Sequence, residues 1–137
     1  MDTIEKSTVQ GVNYVEVEGE SLLTLLEGVS SHASKDKSLR VLNAVQLEGE
    51  GGAITARATD RYRLIEGTLS ALDGRLDTSL ISLEDIKRII TLLKAHKTNR
   101  VQLSRIGDTL TVSALGDAIT FTLIDGNYPP MEELLVK

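Results

Sequence analysis

Twice along this chain a short alternating run is followed by a helical stripe, and then by three further alternating runs. In the first passage, Val12 to Glu18 reads as a strand and Ser21 to about Ser34 as a helix. Leu22, Leu25, Leu26 and Val29 are spaced for one helix face. Extended runs follow at Val41 to Glu48, Ala53 to Thr59 and Tyr62 to Leu69, with the glycine-rich turn of residues 48–52 between the first two. In the second passage, Arg75 to Ile81 is extended and Ser82 is a helix N-cap with Asp85 three residues on. Ile86, Ile89, Ile90 and Leu93 form the apolar stripe. Strands are expected at Arg100 to Arg105, Thr109 to Ala114 and Ala118 to Ile124. Leu64-Ile65-Glu66-Gly67 and Leu123-Ile124-Asp125-Gly126 are expected to mark the last strand of each half.

This order predicts an internally duplicated β-α-β-β-β unit, an α+β fold with two helices packed on antiparallel sheets. Residues 1–11 read as a polar tail and 12–137 as a single domain, with halves at about 12–74 and 75–126. A chain of 137 residues can bury a core without staples. With Tyr14, Tyr62, Tyr128 and Phe121 its only aromatics, that core must be aliphatic. So few rings also argue against a stacking platform for single-stranded bases.

The chain has no cysteine, which excludes disulfides and thiolate metal sites and fits a cytoplasmic location. No apolar run is long enough to span a membrane, and the opening residues lack a signal-peptide core. His32 and His96 stand in no metal-ligand spacing and read as solvated helix-end residues. No nucleophile elbow, P-loop or dinucleotide fingerprint is present, so the expectation is a protein that is not an enzyme and takes no cofactor or metal.

Charge is the remaining signal. The net charge is −5, but the cations gather. The second helix offers Lys87, Arg88, Thr91 and Lys94 outward, continued by Lys97 and Arg100. The first helix presents Thr24, Gly28 and Ser31 with the acid Glu27, and is followed by His32, Lys35, Lys37 and Arg40. Most acids fall on strands and tail. A solvated helix face is the plain reading; phosphate contact, independent of base sequence and sensitive to salt, is the functional one. The candidate duplex-binding set is Lys87, Arg88, Thr91, Lys94, Lys97 and Arg40.

Two stretches carry a family resemblance. LRVLNAVQLEGEGGAITARATDRYRL (39–64) resembles the middle domain of the bacterial DNA polymerase III beta sliding clamp, from its L-N-G strand to its A-T-D-G-H-R-L hairpin. LIDGNYPPMEELLV (123–136) resembles the V-D-G-R-F-P-D-Y segment that closes that domain. The resemblance covers roughly residues 12–136. It implies a non-enzymatic DNA-clamp domain whose helices line a hole around duplex DNA. It also implies a pocket for short peptides of DNA polymerase and the clamp loader. By position that pocket takes Leu42, Thr59, Tyr62, Arg63, Leu64 and Pro129, with Leu134 beside it. Arg61 stands where the family hairpin has glycine, Tyr62 where it has histidine, and Glu133 near a basic position. The family chain has three such domains and this one a single copy. Six copies would complete a homo-oligomeric ring; a peptide-binding adaptor or decoy without a ring, and an excised domain of a longer clamp, are the other readings.

Overall fold

The computed structural model describes residues 12–33, 43–59, 63–97 and 99–125. The element order is β1 (Val12–Glu18), α1 (Gly19–Ser30), β2 (Ala44–Glu50), β3 (Ala53–Thr59), β4 (Leu64–Ser70) and β5 (Asp73–Ser82). It continues with α2 (Leu83–Ala95), β6 (Arg100–Ile106), β7 (Thr109–Ala114) and β8 (Asp117–Thr122). The duplicated β-α-β-β-β order is therefore present.

The strands form one eight-stranded sheet in the order β4-β3-β2-β5-β1-β6-β7-β8. Exchanging the halves, β1 for β5, β2 for β6 and so on, gives the same order reversed. The sheet thus has a pseudo-two-fold axis between β5 and β1. All neighbours are antiparallel. The first strand of each half pairs along its length with the other half: β1 with β6, and β5 with β2. The halves are interlocked, and neither could complete its sheet alone.

The backbone records the duplication more faithfully than the four-residue match does. The first amide of α1, Gly19, donates to the Asn99 carbonyl; that of α2, Leu83, donates to the Asn43 carbonyl. Ala71 donates to Gly52, and Leu123 to Asp108, at equivalent places after β4 and β8. Thr55 faces Thr68 across β3–β4, as Thr111 faces Thr120 across β7–β8. By these equivalences Leu123 matches Ala71. Leu64-Ile65-Glu66-Gly67 opens β4, whereas Leu123 and Ile124 lie beyond the end of β8. The two segments are not equivalent, contrary to the expectation from sequence. The β3–β4 connection is longer than the Leu115-Gly116 turn of β7–β8, and common residues matched across a shifted frame.

Both helices pack on one face of the sheet and against each other. Strand alternation sends Val15, Val17, Leu47, Ile54, Leu103 and Leu110 to that face, where all are fully buried. α2 buries Ile86, Ile89 and Leu93 as its spacing predicts, and Leu83 with them, whereas Ile90 of the expected stripe is only half-buried; Ser82 Oγ caps the helix by accepting from the Asp85 amide at 3.1 Å. α1 differs from expectation. Leu23 is buried beside Leu22, Leu26 and Val29, while Leu25 is only half-buried. Wedged between the sheet and α2, α1 buries a wider arc than one stripe. It also stops at Ser30, where His32 N donates to Val29 O and Ala33 N to Ser30 O in a tightening turn.

The opposite face of the sheet is polar and rich in acids. Arg57 on β3 sits among them, donating to Gln46 at 3.0 Å, Glu48 at 2.9 Å and Glu66. The glycine-rich turn joins β2 to β3 with Gly51 and Gly52 both at positive φ, a backbone that other residues adopt poorly. No helix among the described residues is long and apolar enough to cross a membrane.

Candidate nucleic-acid and peptide interfaces

The apolar stripe of α2 turns inward, so the opposite side of the same helix must face solvent. Lys87, Arg88, Thr91 and Lys94 are all exposed there, and Lys97 is exposed just past the C-terminus. Lys87, Thr91 and Lys94 follow one another at helical spacing along one line. Arg40 lies outside the described residues.

The members of this set are not equally available. Arg88 Nη1 meets Asp85 Oδ1 at 3.0 Å within the helix, and its guanidinium lies 5.9 Å from the centre of the Phe121 ring. Thr91 Oγ1 donates back to the Lys87 carbonyl at 3.0 Å. Lys94 Nζ reaches across to Glu27 Oε2 on α1 at 3.9 Å. Lys87 and Lys97 make no ion pair with a described residue.

The neighbouring helix is of the opposite sign. α1, Gly19–Ser30, contains no lysine or arginine, and it exposes Glu20 as well as Glu27. The sequence pointed to Glu27 alone, because the helix was expected to begin at Ser21; it begins two residues earlier, at Gly19, which brings Glu20 into its first turn. The basic exit foreseen after α1 falls on residues 34–42, outside the described residues.

His96 also departs from expectation. It is not a solvated helix-end residue: its side chain is 12% exposed. Its Nε2 lies 2.7 Å from Asp117 Oδ2 and its Nδ1 lies 3.1 Å from Asn99 Oδ1. Both ring nitrogens face oxygen acceptors, which favours the doubly protonated ring. The hydrogen bond to Asp117, and next the one to Asn99, raise the imidazole pKa above its ordinary value. The side chain thereby ties the end of α2 to the start of β8. Nothing in local spacing could reveal this, because Asp117 is brought near only by the β7–β8 turn. His32 stays local, with Nδ1 3.2 Å from the Gly28 carbonyl.

Of the candidate peptide set, Thr59, Arg63 and Leu64 are described and come together where β3 turns into β4. Thr59 stands opposite Leu64 in register, and Thr59 Oγ1 donates to the Arg63 carbonyl at 2.6 Å. Thr59 is fully buried, Leu64 half-buried and Arg63 exposed. Thr59 therefore shapes the hairpin, and the exposed surface there belongs to its neighbours. Leu42, Tyr62, Pro129 and Leu134 lie outside the described residues, as do Arg61 and Glu133. The chain beside them converges nonetheless. Ala44, which follows Asn43, pairs with Ser82 at the same end of the sheet as Thr59. Ile124 donates to the Leu80 carbonyl near that end.

A separate shallow concavity of about 390 Å³ lies on the polar face over β6–β8. It is lined by Glu16, Arg100, Gln102, Ser113 and the 114–118 turn, and contains none of the candidate peptide or duplex residues.

A duplicated unit with two helices on one side of a continuous antiparallel sheet defines a DNA-clamp domain. The chain belongs to the family of the DNA polymerase III beta subunit, central domain, whose profile matches residues 16–130. It is 33% identical over 121 residues to a beta sliding clamp of Micrococcus luteus, a match covering 86% of this chain and 39% of that protein. It is 27% identical over 124 residues to the beta sliding clamp homolog GriR of Streptomyces muensis, covering 88% of this chain and 33% of the relative. Among solved structures, the DnaN sliding clamp of Pseudomonas aeruginosa superposes with a TM-score of 0.78 at 22% identity, over 90% of this chain and 34% of that one. The Thermotoga maritima beta subunit gives 0.76 at 23% identity, over 91% and 34%. At such identities these structures show the shared fold. The chain spans about a third of the length of the relatives it matches.

Proposed function

We propose that this chain is a non-enzymatic sliding-clamp domain that contacts duplex DNA through α2 and receives short peptides of replication proteins at the β3–β4 end of its sheet. The observation that carries the reading is the outward face of α2. Lys87 and Lys94 lie in line along the helix with Arg88 beside them, while the acids of the strands lie on the other side of the sheet. A polyanion without sequence features is matched by that arrangement, because point charges at helical spacing can meet phosphates but read no base. The peptide function is supported by the convergence of Ala44, Thr59, Leu64 and Ile124. There an apolar cup can be rimmed by the exposed Arg63.

A second reading, a peptide-binding adaptor without a ring, is favoured by α1. A helix exposing Glu20 and Glu27 with no cation is a poor lining for a hole filled by DNA.

Association with linear duplex at low salt tests the first reading. Binding is expected to be weak and lost at moderate salt. Lys87→Glu with Lys94→Glu should reduce it about tenfold or more, with little effect on folding, since both side chains face out. Unchanged association would move the duplex surface off α2.

A further inference from the structure

We propose that Glu27 of α1 is an internal competitor for Lys94, holding down the affinity of the α2 face for phosphate. This rests on the duplex reading above and adds its regulation.

The two residues sit on different helices, and their contact exists only because α1 and α2 pack side by side. Lys94 Nζ and Glu27 Oε2 are 3.9 Å apart, with side chains 61% and 48% exposed. An ion pair so open and so long contributes little to stability, since water and salt screen it. Its consequence is therefore for a ligand. A phosphate approaching Lys94 must displace the Glu27 carboxylate. That carboxylate is then left facing the polyanion without its partner. The remaining cations show that the effect is selective. Arg88 is held by Asp85 inside its own helix, while Lys87 and Lys97 have no paired acid among the described residues. Of these cations, Lys94 alone is held by an acid from the neighbouring helix. For a protein that must hold a duplex without gripping it, a built-in competitor keeps each contact exchangeable.

The experiment measures duplex association by fluorescence anisotropy across a salt series for the parent, Glu27→Gln, Glu20→Gln, Lys94→Gln and the pair Glu27→Gln with Lys94→Gln. Glu20 lies on the same helix seven residues away, about 10 Å along the axis, and controls for general repulsion. Glu27→Gln is expected to bind roughly fivefold more tightly at low salt, with a salt slope steeper by about one ion. When Lys94 is already Gln, that gain should shrink to the small one that Glu20→Gln gives through general repulsion alone. An equal gain in the Lys94→Gln background, or from Glu20→Gln, overturns masking of Lys94. No gain from Glu27→Gln, while Lys87→Glu with Lys94→Glu still weakens binding about tenfold or more, overturns this inference and leaves the duplex reading standing. No salt-sensitive association by the parent or by Glu27→Gln removes both.

Discussion

Leu64 shows how a single side chain can be both structural and available. It opens β4 opposite the fully buried Thr59, yet is itself only half-buried. The Thr59 hydroxyl, spent on the Arg63 carbonyl, holds the hairpin so that Leu64 and Arg63 are presented on its rim. A short peptide with a glutamine and one or two bulky apolar residues is expected to bind there with a Kd of roughly micromolar order, as suits a small, shallow contact. Leu64→Glu should abolish that binding, because a carboxylate in an apolar cup loses hydration without gaining a partner. Calorimetry on parent and variant checks it; equal heats would place the pocket elsewhere.

At the scale of elements, the end of α2 is held by chemistry that depends on pH. His96 joins α2 to the β7–β8 turn through Asp117 and to the loop before β6 through Asn99. Its folded-state pKa is raised, first by the bond to Asp117 and then by that to Asn99. A raised pKa in the folded state means that protonation favours folding. The contribution is present in full below the unfolded value of about 6.5 and is lost as pH rises through the folded value. A positive ring at a helix C-terminus also suits the helix dipole. The thermal midpoint of the parent should therefore fall between pH 6 and pH 9 by more than that of His96→Gln, and Asp117→Asn should flatten the profile in the same way. Superimposable profiles for parent and both variants would show that the clasp is absent in solution.

At the scale of the whole molecule, the pseudo-two-fold axis leaves β4 and β8 as the edges of the sheet, each with one side of its backbone unpaired among the described residues. Pairing β4 of one copy with β8 of the next is a heterologous contact, which closes into a ring when the rotation divides a circle evenly. The resemblance to the clamp family, in which six such domains complete the circle, implies that six copies of this chain would be required. The acids on the polar face would lie outside such a ring and α2 toward its centre, reducing repulsion between copies that each carry a net charge of −5. Light scattering over a wide concentration range, with and without circular duplex, is expected to show a concentration-dependent hexamer or assembly induced by DNA. A monomer under every condition would defeat the self-assembled ring and favour the adaptor.

What local sequence determined here is what local physics controls. The α2 stripe, its Ser82 cap, the Gly51-Gly52 turn and the alternation of β3 and β7 depend on neighbours within a few residues, and each was legible from spacing alone. The family, too, was legible, from the hairpin segment at 39–64 and the closing segment at 123–136, despite the changes at Arg61, Tyr62 and Glu133. The true frame of the duplication was not. The segments beginning at Leu64 and Leu123 look alike as text, but Thr55–Thr68, Thr111–Thr120 and the Asn43 and Asn99 carbonyls set the frame through cross-strand hydrogen bonds between distant residues. Tertiary structure alone likewise decided which cations are engaged. Lys94 meets Glu27, and His96 meets Asp117, only after α1, α2 and the β7–β8 turn are packed together. Charge along a helix is written in the chain; the partner of each charge depends on which surfaces the core brings within a few ångströms, and screened contacts at that range leave no periodicity to read.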